Sequence, residues 1–127
     1  MADRRHFLKA AAGALTLCVT PRLLAAQTAS PGVRSLSNSL SVVDGGGANL
    51  VALSTADGLV LVDSGPFQAA DQIRLGLSNV AGGPNVRTLF NTHYHADQTG
   101  NNEMFAASGA RIIAHDLTRQ WMSTDYW

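Results

Sequence analysis

The sequence has 127 residues, with nine Lys and Arg against nine Asp and Glu, so its formal net charge is zero. This length allows one small domain at most, and a hydrophobic content of 46% excludes an intrinsically disordered protein. A net charge of zero argues against a nucleic-acid partner. The single Cys excludes a disulfide framework or a multi-thiolate metal site within one chain.

Residues 1–28 are predicted to be an export signal rather than part of the fold. Arg4, Arg5 and Lys9 precede an uncharged apolar run over residues 10–19, which is typical of a secretory signal peptide. The run is shorter than the roughly 20 residues of a transmembrane helix, so no stable membrane anchor is expected. The letters DRRHFLK resemble a twin-arginine signal. We therefore expect the twin-arginine translocation machinery to recognise Arg4 and Arg5 and to deliver the protein to the periplasm or outside a bacterial cell.

The remaining sequence predicts strands first and then alternating helices and strands. Alternation of apolar and polar residues predicts a strand over residues 33–43, and two apolar runs joined by an Asp-Gly turn predict a hairpin. Apolar residues spaced three and four apart predict a helix over residues 67–80. This order is typical of an α/β fold with a mixed sheet and helices on one face. The other predicted elements are strands over 49–54, 59–62, 86–90 and 111–114, a helix over 99–107 with Thr99 as its cap, and a helix from Asp116.

Three residues that can bind a metal follow the predicted strand 86–90. In an extended segment, residues two apart point to the same side, so His93, His95 and Asp97 would present two imidazoles and a carboxylate together. That donor set suits zinc and tolerates iron or manganese. A divalent ion there would lower the pKa of a bound water to about 7 and supply hydroxide for hydrolysis. Asp97 could orient that hydroxide and could also bind the metal. The alternative is that these are three polar side chains of a surface loop.

Two motifs carry a family resemblance. The His93-x-His95-x-Asp97 segment after a strand resembles the metal-binding motif of the metallo-beta-lactamase superfamily. The Asp63-Ser64-Gly65 turn after the apolar strand 59–62 resembles the Asp-Ser/Thr-Gly turn that precedes the first helix of that family. The resemblance covers residues 34–127 and implies an αββα sandwich. Because complete members have two similar halves, it also implies that this chain holds the N-terminal half and is incomplete at its C-terminus.

The resemblance further implies a zinc-dependent hydrolase with one or two Zn²⁺ ions and a small-molecule substrate. In such an enzyme a metal-bound hydroxide attacks a lactam, ester, lactone or thioester. His93 and His95 would bind the first metal and Asp97 the second, and Asp63 would lie beneath the site and orient its ligands. Gln98 stands where many members have a His that binds the second metal, so the second site would be weak or would use other ligands.

Two alternatives to a hydrolase remain open at this stage. One is a periplasmic metal-binding or relay accessory protein that keeps the motif without hydrolytic turnover, and the other is an inactive fragment. His115, which follows the predicted strand 111–114, stands where the family often has a His that does not bind metal. It is therefore not expected to be a ligand.

Overall fold

The structure is a computed structural model, and it describes residues 32–124. The predicted export signal lies outside the described residues. The strands are β1 (Val33–Ser35), β2 (Leu40–Asp44), β3 (Asn49–Thr55), β4 (Gly58–Val62), β5 (Val86–Asn91) and β6 (Arg111–Ala114). The helices are α1 (Ala70–Ser78), α2 (Ala96–Thr99), α3 (Asn102–Ala107) and α4 (Asp116–Met122), and a single 3-10 turn over Phe67–Ala69 leads into α1.

The six strands form one mixed sheet in the order β1-β2-β3-β4-β5-β6. The first four strands are antiparallel neighbours, whereas β5 runs parallel to β4 and β6 runs parallel to β5. A parallel neighbour requires a crossover connection, and α1 supplies it between β4 and β5. The mixed α/β fold predicted from the sequence is confirmed.

The single strand predicted over residues 33–43 is wrong, because this segment folds back on itself as β1 and β2. The Ser37 hydroxyl accepts hydrogen bonds from the backbone N–H groups of Ser39 and Leu40. A serine side chain that bonds the backbone two or three residues ahead stabilises a turn rather than an extended chain. The sheet therefore begins with a four-stranded meander instead of three strands.

The helix predicted over residues 99–107 is also wrong in its start, because two short helices occupy this region. Thr99 is the last residue of α2 rather than a cap, and its hydroxyl donates to the carbonyl oxygens of Tyr94 and His95. Gly100 and Asn101 separate α2 from α3. The Asp97-containing segment is thus the first helical turn after β5.

The hydrophobic core lies between one face of the sheet and the helices. Strand residues that alternate along β3 and β4 are fully buried on this face, and Ile73, Leu77 and Phe105 pack on them from α1 and α3. The strand contribution comprises Val43, Leu50, Ala52, Leu59, Leu61, Val86 and Leu89. Within residues 32–124, no helix combines the length and hydropathy that a membrane crossing requires.

Candidate metal centre

The candidate site lies at one edge of the sheet, where three parallel strands end. Asp63 follows β4, His93 follows β5 and His115 follows β6. The carboxyl ends of parallel strands meet at a common edge, which is where open α/β sheets bind their ligands. The topology therefore brings polar residues from distant parts of the sequence to this edge.

His93 and His95 are close neighbours in space. Their ring centroids lie 4.7 Å apart, and the rings meet edge to face at an interplanar angle of 75°. His93 is half-buried and His95 is exposed. The extended backbone at His95 keeps the two imidazoles on one side of the chain, so both are available to one divalent ion.

Asp97 does not join the imidazole pair in the extended arrangement predicted from the sequence. The chain becomes helical at Ala96, which places Asp97 in the first turn of α2, where its carboxylate accepts a hydrogen bond of 3.2 Å from the Gln98 amide. In the described part of the chain, no group of three His, Cys, Asp or Glu side chains is arranged to hold a metal ion. By donor chemistry the two imidazoles suit zinc, and they form a partial ligand set.

A chain of hydrogen bonds links the buried Asp63 to His93. The Asp63 carboxylate accepts bonds of 2.8 Å from the Thr92 backbone N–H and of 2.8 and 3.0 Å from the Thr92 hydroxyl. The Thr92 oxygen lies 2.9 Å from His93 Nδ1. Because the Thr92 hydroxyl donates its hydrogen to the Asp63 carboxylate, the Thr92 oxygen can accept the proton on His93 Nδ1. His93 Nε2 then carries the free lone pair that a metal requires.

Asp63 is held in this position by an uncommon backbone conformation. Its φ of 62° lies in the left-handed region, which a residue other than glycine seldom adopts. The Asp63 backbone N–H donates to the Phe90 carbonyl oxygen, so the turn is tied to the end of β5. Asp63 therefore contacts His93 through Thr92 rather than directly. No role for Thr92 was predicted from the sequence, although its place directly before His93 was a usable signal.

The Asp63-Ser64-Gly65 turn is also fixed to the joint between α2 and α3 by Asn101. This side chain is 2% exposed, and its amide nitrogen lies 2.9–3.2 Å from the carbonyl oxygens of Ser64, Gly65 and Pro66. Gly100 lets the two segments approach, since a Cβ atom there would lie only 2.5 Å from the Phe67 nitrogen. This contact between distant parts of the chain was not predicted from the sequence.

Two aromatic rings lie next to the imidazole pair. Tyr94 meets the His95 ring edge to face at a centroid distance of 4.8 Å and stacks on Trp121 of α4 at 5.6 Å. The His115 side chain is used differently, because its Nδ1 accepts a hydrogen bond of 3.2 Å from the Leu117 backbone N–H. His115 thus caps the N-terminus of α4.

Thr92→Val tests the link between Asp63 and His93. The substitution keeps the backbone bond to Asp63 but removes the hydroxyl, so we expect Nδ1 of His93 to lose its fixed proton and the affinity for Zn²⁺ to fall about 10- to 100-fold. Nitrogen-15 NMR of the metal-free protein reports the tautomer, and a competition titration reports the affinity. Thr92→Ser should retain both properties. Thr88→Val, which removes a hydroxyl within β5, should alter neither. An unchanged tautomer in Thr92→Val would contradict the assignment.

Comparison with known proteins places this geometry in a family. The family model described as Metallo-beta-lactamase superfamily matches residues 43–127. A metallo-beta-lactamase with a HARLDQ motif from Cronobacter sakazakii superposes with a TM-score of 0.65 at 29% identity, over 72% of this chain and 37% of that protein. MIM-1 from Novosphingobium pentaromativorans gives a TM-score of 0.62 at 30% identity, over 69% of this chain and 33% of that protein. None of the curated proteins compared with the sequence matches it.

A more distant neighbour shares the fold alone. BJP-1 of Bradyrhizobium japonicum, a subclass B3 metallo-beta-lactamase, superposes with a TM-score of 0.63 at 22% identity, over 69% of this chain and 34% of that protein. The chain therefore spans little more than a third of the length of these structures.

The six residues from His93 to Gln98, HYHADQ, can be set against the HARLDQ motif of the Cronobacter protein. Both begin with His and end with Asp and Gln, so Gln98 has a counterpart in a structural neighbour. The third place differs, since it is Arg in that motif and His95 here. With the family model matching two thirds of the sequence and the fold matching solved members, this chain belongs to the metallo-beta-lactamase superfamily.

Proposed function

We propose that this chain carries the first metal ligands of a zinc-dependent hydrolase that opens a lactam, ester, lactone or thioester bond. The observation that carries the proposal is the imidazole pair at the carboxyl edge of the sheet, with ring centroids 4.7 Å apart. Membership of a hydrolytic superfamily supports it. A beta-lactam is the favoured substrate class, because the structural neighbours are named beta-lactamases.

The residues of this chain have distinct parts in that reaction. His93 and His95 would hold the first of one or two Zn²⁺ ions through imidazole nitrogen, with iron or manganese as chemically acceptable substitutes. A bound divalent ion supplies Lewis-acid activation of water. Asp63 and Thr92 orient His93 through the hydrogen bonds described above. The exposed Asp97 carboxylate, at the start of α2, is proposed as a second-metal ligand and as the group that orients the attacking water.

The test is a hydrolysis assay of the protein at its full natural length against a chromogenic cephalosporin, a lactone, a carboxylic ester and a thioester. We expect turnover of at least one substrate with added Zn²⁺ and its loss after treatment with a chelator. Zn²⁺ binding without turnover would instead favour the metal-binding accessory protein. That alternative draws support from Gln98, which stands where many members have a His that binds the second metal. A protein that neither binds Zn²⁺ nor hydrolyses any substrate would be the inactive fragment.

We also propose that the protein reaches the periplasm through the twin-arginine translocation machinery. The support is the sequence pattern of Arg4 and Arg5 before an uncharged apolar run. Replacing both with Lys keeps the positive charge, so loss of export would show that the paired guanidinium groups are recognised. Fractionation of expressing cells measures this, and recovery of the double variant in the periplasm would contradict the route.

A further inference from the structure

The two imidazoles of the candidate site differ in what holds them. The His93 ring is fixed by a hydrogen bond through Thr92. In the described part of the chain, every hydrogen bond of His95 goes to its backbone carbonyl oxygen, which accepts from Gln98 and Thr99 at 2.9–3.0 Å. These bonds fix the backbone at His95 but leave its side chain free to rotate. Ring packing is therefore what remains to set the direction of the His95 nitrogens.

The Tyr94 ring provides that packing. Its centroid lies 4.8 Å from the His95 centroid, and the two planes meet at 76°. Edge-to-face contact within this range of distances is one of the two arrangements that aromatic rings prefer. The His93 ring contacts His95 in the same manner at 4.7 Å and 75°. Two edge-to-face contacts thus restrict the rotation of the His95 ring.

The Tyr94 ring is in turn held by Trp121 of α4. Their centroids lie 5.6 Å apart, and their planes are only 23° from parallel. This is stacking, the other arrangement that aromatic rings prefer. The direction in which the half-buried Tyr94 ring faces His95 therefore depends on a side chain from a different element.

Helix α4 is tied to the end of β5 at both of its own ends. Its N-terminus is capped by His115, which follows β6, the strand paired with β5. Near its C-terminus, the Met122 sulfur lies 3.8 Å from the Asn102 amide nitrogen. Asn102 exchanges two amide hydrogen bonds of 2.7 and 3.0 Å with Asn91, the buried last residue of β5. Trp121 is thus placed firmly relative to the segment that carries the imidazoles.

We propose that Tyr94 and Trp121 are positioning residues for His95, and that their stack orients its imidazole before a divalent ion binds. This role rests on the proposed function of His95 as a metal ligand. A side chain that is ordered in advance does not lose its rotamer freedom at the moment of binding, so the ion is bound more tightly. The two ligands are then oriented by different means, His93 by a hydrogen bond and His95 by ring packing.

Trp121→Leu tests the proposal in the protein at its full natural length. Leucine keeps apolar bulk and favours a helix, but it cannot stack on Tyr94. We expect the dissociation constant for Zn²⁺, measured by competition titration, to rise about 3- to 10-fold. Trp121→Phe is the matched control, because a phenyl ring can still stack. It should bind Zn²⁺ as the unsubstituted protein does.

Proton NMR of the metal-free protein gives a second readout, because ring-proton signals respond to neighbouring aromatic rings. The His95 signals should shift in Trp121→Leu and shift much less in Trp121→Phe. The His115 signals should stay in place in both variants, which checks that α4 is retained. Tyr94→Leu removes the ring that contacts His95, so it should change both readouts at least as much as Trp121→Leu. Tyr94→Phe, which removes only the hydroxyl, should change neither.

If Trp121→Leu does not fold, Tyr94→Leu carries the test. Unchanged His95 signals, or an unchanged affinity for Zn²⁺, in the leucine variants would overturn the positioning role alone. Equal losses of affinity in Trp121→Leu and Trp121→Phe would also overturn it, because a stacked ring would then not be what matters. An unsubstituted protein that binds no Zn²⁺ would instead overturn the proposed function, and this role with it.

Discussion

Asn101→Ala is expected to lower the free energy of unfolding by about 3 kcal/mol. The amide of this buried side chain serves three carbonyl oxygens of the Ser64 to Pro66 turn. Alanine would leave the buried carbonyl oxygens of Ser64 and Gly65 without this partner, at a cost of about 1–3 kcal/mol for each lost group. The carbonyl oxygen of the half-buried Pro66 can bond to water instead. For a domain of this size the midpoint of thermal unfolding should fall by roughly 10–20 °C, which calorimetry measures.

Asn79→Ala is the matched control for this prediction. Asn79 also donates its amide to a carbonyl oxygen, that of Leu75, but the side chain is exposed. Water replaces the lost bond there, so the expected loss is about 1 kcal/mol or less. Equal losses in the two variants would show that the contacts of Asn101 do not hold the turn.

His95→Ala is expected to reduce the affinity for Zn²⁺ more than about 100-fold and to abolish any Zn²⁺-dependent hydrolysis. The imidazole of His95 is exposed, and within the described residues it makes no hydrogen bond. Its removal should therefore affect metal binding and leave the fold intact. Elemental analysis and a competition titration measure the bound zinc.

His115→Asn is the matched control for the loss of an imidazole. His115 caps α4 through its ring nitrogen, and Asn can cap a helix in the same way, so zinc binding and stability should both be retained. Zinc content that stays unchanged in His95→Ala would disprove His95 as a ligand. A loss of zinc in His115→Asn would make His115, which follows β6, a metal ligand against the prediction from the sequence.

Much of the fold could be predicted because it depends on local patterns. The apolar runs of β3 and β4, the Asp-Gly hairpin and the three-and-four spacing of α1 are all visible in the sequence and confirmed by the structure. The boundaries were less predictable where side chains compete with the backbone. Ser37 divides the first predicted strand, and the Thr99 hydroxyl bonds backwards to His95 rather than forwards into a helix.

The sequence by itself determined the donor chemistry of this protein and its fold class. Two His and one Asp in alternation after a strand indicated a metal site, and the order of apolar patterns indicated a mixed sheet. Only the tertiary structure decided how the donors are held. Asp63 and Thr92 are 29 positions apart, and Ser64 and Asn101 are 37 apart.

The same limit applies to the conformation of Asp97 and to the side of the sheet that the helices cover. The helical turn that begins at Ala96 is tied to the distant turn after β4, because the Gln98 carbonyl oxygen accepts hydrogen bonds from the Ser64 backbone N–H and hydroxyl. Alternation alone predicted an extended chain that the structure does not have. Alternating strands show that a sheet has two different faces, but both faces of β3 and β4 are apolar. Which face the helices cover is decided by the direction of the crossover through α1, because only a folded chain fixes the side of the sheet on which a helix packs.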